Sequence, residues 1–182
     1  DRLKVIANIF GLEGPEVHTA RVIELGCAAG NNIIPLALNF PQSTFVGIDS
    51  SRVQIEAGLK TIADLGLKNI ELVAQDFRDM TTGGGKFDYL ICHGTVSWVN
   101  ADIRRRIFEL CRDLLSEDGV AYISYNCFPG WHLRILLREM VLYHLTGIDD
   151  ESTRLTEAKR FAEFLSHSFT SDDKEEERLL RN

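Results

Sequence analysis

No apolar run in these 182 residues approaches the roughly 20 residues that a membrane-spanning helix needs, and no secretory leader pattern is visible. Cysteine is scarce. The four present, Cys27, Cys92, Cys111 and Cys127, form no Cys-x-x-Cys pair, which argues against a metal site and points to reduced thiols in a cytoplasmic protein. Positive charge is also short: 20 Lys and Arg stand against 27 Asp and Glu, a net charge of -7 that disfavours broad electrostatic contact with nucleic acid. The one basic cluster, Arg104-Arg105-Arg106, reads as the solvated face of a helix. Internal repeats are absent. What remains, 45% apolar and 26% charged residues over this length, fits one globular domain with a substantial core.

The most informative stretch is Arg21 to Asn32, Arg-Val-Ile-Glu-Leu-Gly-Cys-Ala-Ala-Gly-Asn-Asn. An apolar run, two glycines and a second apolar segment from Ile33 to Leu38 read as a buried strand, a tight turn and a helix. A dinucleotide fingerprint needs glycines at its first, third and sixth positions. Counted from Gly26, those places hold Ala28 and Asn31, and the last glycine comes one residue early, at Gly30. With Glu24 two residues before Gly26, the turn fits Glu/Asp-x-Gly-x-Gly-x-Gly better, and in this it resembles the class I methyltransferases that use S-adenosylmethionine. The plain alternative is a glycine turn that packs a helix on a sheet.

Elements alternate along the chain. A helix carries Leu3, Ile6, Ile9 and Phe10 and stops at Gly11. Strands are predicted at Ala20–Leu25, Thr44–Ile48, Ile70–Ala74, Phe87–Cys92 and Val120–Tyr125. Between them, a helix capped by Asn31 or Asn32 ends at Pro41, and one capped by Ser50 or Ser51 runs to Leu65 before Gly66. Thr81 to Gly85 reads as a glycine-rich loop. A further helix, Ala101–Leu115, is stopped by a Ser116-Glu117-Asp118-Gly119 turn. Such alternation implies an α/β fold, a Rossmann-like doubly wound parallel sheet. After Asn126 it ceases, and Trp131–Leu145 and Ser152–His167 read as two helices. The expected organisation is a cofactor-binding core over 1–126 and a helical extension of the same domain over 127–182. Both ends, Asp1 and the charged run Lys174–Arg178, look cut, as in a fragment of a longer enzyme.

In a doubly wound sheet, ligands sit beyond the carboxyl ends of the strands, where Glu24, Asp49 and Asp76 fall. Asp49 has the position to accept both ribose hydroxyls, for a methionine nucleoside or NAD alike, or to cap the next helix. Asp76 suits an adenine amino group with Phe77 covering the ring, or a simple turn. Glu24 either holds the cofactor's amino end or braces the loop. The resemblance implies S-adenosylmethionine as cofactor (S-adenosylhomocysteine as product), bound by Glu24, Gly26, Cys27, Ala28, Gly30, Asp49, Ser50, Gln75, Asp76, Phe77 and His93. Ala28 stands where the family usually has glycine.

The loop after the fourth strand, Cys92-His93-Gly94-Thr95-Val96-Ser97-Trp98-Val99, lacks the Asn/Asp-Pro-Pro-Tyr of enzymes that methylate planar amino groups and the Pro-Cys of cytosine C5 enzymes. Together with Tyr125-Asn126-Cys127-Phe128-Pro129-Gly130-Trp131-His132-Leu133-Arg134 and Tyr143-His144, it resembles a bacterial group in which a methyltransferase domain precedes a methyltransferase regulatory domain. That group includes rickettsial protein-lysine methyltransferases. The resemblance implies an acceptor site at Ser97, Trp98, Tyr125, Asn126 and Trp131 and a protein lysine as favoured acceptor; the sequence itself names no obvious strong base, which fits a mechanism governed by positioning. A small-molecule methyltransferase, a non-catalytic cofactor-binding module and an NAD-dependent oxidoreductase remain alternatives, as does an RNA cytosine enzyme using Cys127.

Overall fold

In the computed structural model, which describes residues 2–83 and 85–168, the apolar runs lie side by side in one sheet. β1 (Arg21–Leu25), β2 (Thr44–Asp49), β3 (Ile70–Ala74), β4 (Phe87–Cys92) and β5 (Leu115–Ile123) are parallel, in the order β3-β2-β1-β4-β5. The chain winds outward from β1 through β2 to β3, then returns to β4 and β5 on the other side, so the winding direction switches between β1 and β4. This is the expected Rossmann-like α/β fold, and the switch point is where such sheets leave a crevice.

Strand side chains alternate between two cores. Ile23 and Leu25 of β1, with Leu90 and Cys92 of β4, meet Ile107, Leu110 and Leu114 of α4 (Ala101–Leu114). Val22, Tyr89 and Ile91 point the other way, onto Ile33 and Ala37 of α2 (Ile33–Asn39) and Ile55 and Ile62 of α3 (Arg52–Leu65). Each fully buried Ile or Leu contributes about 1.5–3 kcal/mol. α1 (Arg2–Ile9) adds Leu3 to the second core. The same alternation puts Glu24 on the α2 face, 3% exposed.

Several local expectations change. Residues 116–119 are no turn: β5 begins at Leu115, and between its pairings with Phe87 and Tyr89 it advances from Leu115 to Val120, a bulge that absorbs the polar residues. Asn32 holds the N-cap position of α2 without a side-chain capping bond, and Ser51 does the same for α3. The backbone N–H of Ser51 instead donates to Asp49 Oδ1 at 2.9 Å. Arg106 is not solvated. Its Nε donates to Phe77 O at 3.2 Å and its Nη2 to Met80 O at 2.6 Å, closing the 3-10 turn Phe77–Asp79. Of the Thr81–Gly85 loop, Gly84 lies outside the described residues.

A second compact unit begins at Asn126. In it α5 (His132–His144) packs against α6 (Glu151–Ser168), with the His144 ring stacked on Phe161 at 4.2 Å. Asp150 caps α6 by accepting the Thr153 N–H at 2.8 Å. The charged run Lys174–Arg178 lies outside the described residues. Among the described residues no helix is long and apolar enough to cross a membrane.

Candidate functional site

The turn after β1 hooks over the end of β2. Backbone N–H groups of Gly26 and Cys27 both donate to Ile48 O, at 2.8 and 3.1 Å, and Gly30 N–H closes the turn on Cys27 O at 2.8 Å. Glycine is required at position 26 for two reasons. Its φ is +79°, and a Cβ there would collide with the Thr95 side chain from the loop after β4. Ala28 is the one non-glycine residue with positive φ, +48°, among the described residues, so the chain keeps a glycine-like backbone where it lacks the glycine. Cys27 is buried, and burial first, then the charges of Glu24 and Asp49, pushes its thiol up to about 12.

Asp49 binds the turn to its own strand end: Oδ2 accepts Ala28 N–H at 2.9 Å while Oδ1 accepts Ser51 N–H. Both hydrogen bonds use backbone donors, and a carboxylate has about four lone-pair sites, so the oxygens retain capacity for hydroxyl donors. Beyond β3, Gln75 N–H donates to Asp49 O at 2.9 Å. Asp76 is gripped by Arg78, whose Nε and Nη2 donate to Oδ1 at 3.0 Å and Oδ2 at 2.6 Å. These bonds hold its carboxyl at about 2. Phe77 is 8% exposed and packs in the core below Asp76. Ser50 is exposed between β2 and α3.

Glu24 is the unusual group. Asn32 Nδ2 donates to its Oε1 at 2.8 Å, while Oε2 is buried without a hydrogen-bond partner. Burial pushes its carboxyl above the ordinary range, and the Asn32 bond opposes this. A buried anion with one bare oxygen calls for a cationic or N–H donor. The α-ammonium of an amino-acid nucleoside has that character, and the glycine turn beside it permits close approach. The residues present therefore fit S-adenosylmethionine.

On the other side of the switch, His93 follows β4 directly. Its Nδ1 lies 3.0 Å from Ser124 Oγ, which also accepts Gly94 N–H at 2.8 Å. His93, Asn32 and Tyr122 line a cavity of about 410 Å³, together with Arg2 and the apolar Val22, Leu36 and Ile91. Thr95 to Trp98 makes a tight turn anchored by buried Val96, with Trp98 60% exposed and Ser97 exposed beside it.

The structure thus brings Glu24, Gly26, Cys27, Ala28, Gly30, Asp49, Gln75, Asp76 and His93 to the carboxyl ends of adjoining strands. Tyr125 closes the first unit, exposed, whereas Asn126 and Trp131 belong to the second. Sequence reasoning missed Asn32 as the partner of Glu24, Arg78 as that of Asp76, Thr95 beneath Gly26, and Ser124. Only Asn32 carried a signal, as a capping residue of the wrong kind.

A methyltransferase domain family model matches residues 17–175. An uncharacterised protein of Rickettsia prowazekii is 44% identical over 91% of this chain, which spans 30% of that relative's length. A second from the same organism is 38% identical over 91% of the chain and 66% of its own length. Among solved structures, PKMT2 from Rickettsia typhi in complex with AdoHcy superposes with a TM-score of 0.78 at 35% identity, covering 98% of this chain and 35% of that one. The chain spans about a third of the first relative and of PKMT2. A matched model over most of the length, with this superposition beside it, leads to one conclusion: this chain belongs to the methyltransferase domain family.

Proposed function

We propose that the chain binds S-adenosylmethionine at the ends of β1, β2 and β3 and directs its methyl group to a protein lysine side chain. The observation that carries the cofactor reading is Glu24 Oε2, a buried carboxylate oxygen with no partner beside a glycine turn. Its complement is an ammonium group. Asp49 accepts ribose hydroxyls with the lone pairs its two backbone bonds leave over. Asp76 Oδ2, with one Arg78 bond, has capacity for an amino N–H. Gly26, Cys27, Ala28, Gly30, Ser50, Gln75, Phe77 and His93 shape the rest of the pocket. The superposition on PKMT2, solved in complex with AdoHcy, supports the cofactor itself.

When bound, this cofactor supplies a methyl group already activated on a sulfonium. What the chain supplies is alignment and a dry site; orientation alone contributes about 7–11 kcal/mol in such reactions. The lysine acceptor rests on the resemblance to the bacterial group with protein-lysine methyltransferases, and on exposed Trp98, whose ring face attracts an alkylammonium. Ser97, Tyr125, Asn126 and Trp131 complete the proposed acceptor set. In this reading residues 1–126 bind the cofactor and 127–182 extend the same domain.

Titration calorimetry with S-adenosylmethionine, S-adenosylhomocysteine and NAD tests the cofactor. Heat with both nucleosides and none with NAD is expected, and the reverse pattern overturns the reading. Labelled methyl offered to lysine-bearing proteins and to metabolites tests the acceptor, and label confined to metabolites removes the lysine.

A further inference from the structure

His93 is the first residue past β4, at the switch point, and its ring is fixed from two sides. Nδ1 lies 3.0 Å from Ser124 Oγ, and the ring stacks on Tyr122 with centroids 5.9 Å apart and planes inclined by 21°. Ser124 is itself held: its N–H donates to Cys92 O at 3.1 Å, and its Oγ accepts Gly94 N–H. A serine oxygen has two lone pairs. With one given to Gly94, Oγ meets Nδ1 either with its second lone pair or with its own O–H, and the ring tautomer sets which. A ring that donates Nδ1–H to Oγ presents Nε2 as a lone pair, on the wall of the cavity shared with Asn32 and Tyr122. The carboxyl and thiol groups near this point are committed elsewhere. Glu24 is buried on Asn32, Asp49 holds two backbone N–H groups, Asp76 is gripped by Arg78, and the Cys92 thiol is buried in the core.

We propose that His93 Nε2 takes the proton from the acceptor nitrogen and that Ser124 positions it for this; the proposal rests on the methyltransferase reading above. An alkylammonium acceptor keeps its electron pair in an N–H bond. That bond breaks, the pair stays on the acceptor nitrogen as its nucleophilic lone pair, and a new N–H bond forms at Nε2. Imidazole becomes imidazolium, and the positive charge moves from acceptor to ring. The Nδ1–H donated to Ser124 is unchanged by the transfer, so no rearrangement accompanies it. His93 is the catalytic residue in this step and Ser124 a positioning residue.

Nitrogen NMR of the histidine rings in the whole chain reads the arrangement without any turnover. The Nδ1–H tautomer is expected for neutral His93 in the wild type, and a shift toward Nε2–H in Ser124→Ala. A wild-type ring that is mainly Nε2–H overturns the proposal. Turnover is read with labelled S-adenosylmethionine and poly-L-lysine as the acceptor probe. His93→Ala and His93→Gln are expected to lower kcat about 100-fold or more, a far larger change than in KM or in S-adenosylhomocysteine affinity, and added imidazole to restore part of the His93→Ala rate. Both variants alter an exposed residue, and far-UV circular dichroism reports that they are folded. Unchanged kcat in His93→Gln overturns the proposal. A wild type that binds neither nucleoside overturns the methyltransferase reading instead, and calorimetry alone shows it.

Discussion

Asn32 Nδ2 donates to Glu24 Oε1 at 2.8 Å, across the glycine turn that separates them. The amide at the start of α2 leaves that helix without a side-chain cap and serves the acid at the end of β1. One carboxylate oxygen is thereby oriented and the other left bare.

Glu24 should impose a pH dependence. Burial raises its pKa above the ordinary 4.5, so its folded form holds the proton more tightly than the unfolded chain does. The stability this gives is fully present below 4.5 and is lost as pH rises through the raised folded value. Glu24→Gln should therefore raise the unfolding midpoint at pH 7, with an advantage that shrinks as pH falls toward 4.5, while weakening nucleoside binding. A midpoint difference that stays constant with pH would contradict this.

Asp49→Ala removes the acceptor of Ala28 N–H and of Ser51 N–H. A loss of about 1–3 kcal/mol in urea unfolding is expected, together with at least tenfold weaker S-adenosylhomocysteine binding by calorimetry. Weaker stability with unchanged affinity would strip Asp49 of its ribose role and leave only the structural one.

Gly26→Ala combines a positive φ with a clash on Thr95, and should cost about 2–4 kcal/mol. Adding Thr95→Ala removes the hydroxyl and methyl that the new Cβ meets, and should recover part of the loss. Additive effects in a double-mutant cycle would show that the two residues do not couple.

Arg106→Ala should cost about 1.5–3 kcal/mol, because two carbonyls of the 3-10 turn lose a charged donor. Arg104→Ala and Arg105→Ala should stay within about 0.5 kcal/mol of wild type, as surface changes do. Chemical denaturation of the three variants separates them.

Thiol labelling should divide the cysteines. Cys127 is exposed and should react at once. Cys27, Cys92 and Cys111 are buried, with thiols raised by burial to about 12 for Cys27 and about 11 for Cys92, and should react only on unfolding. Two or more fast thiols in the native chain would contradict this burial.

The sheet was legible because strands covered on both faces are mostly apolar, and β1 to β4 are, with Glu24, Glu71 and Asp88 the charged residues inside β1, β3 and β4. Its helices followed from periodicity and from Gly66 and Pro41. The start of β5 was not legible: Ser116-Glu117-Asp118-Gly119 has turn chemistry, and only the pairing of β4 with both flanks turns it into a bulge. The acids at the strand ends could be placed from strand boundaries alone. Their partners could not, because Ser124 lies 31 residues from His93 and Arg106 lies 29 from Phe77. Arg78 sits only two residues from Asp76, yet nothing in that spacing announces a bidentate pair.

Since Asp49 already grips Ala28 and Ser51 through separate oxygens, the rim of the crevice is ordered before any guest arrives. The entropy of arranging that loop is surrendered during folding rather than at association. Free and occupied forms should then share one backbone here, and selectivity among nucleosides becomes a matter of which guest satisfies Glu24, not of which guest reshapes the protein.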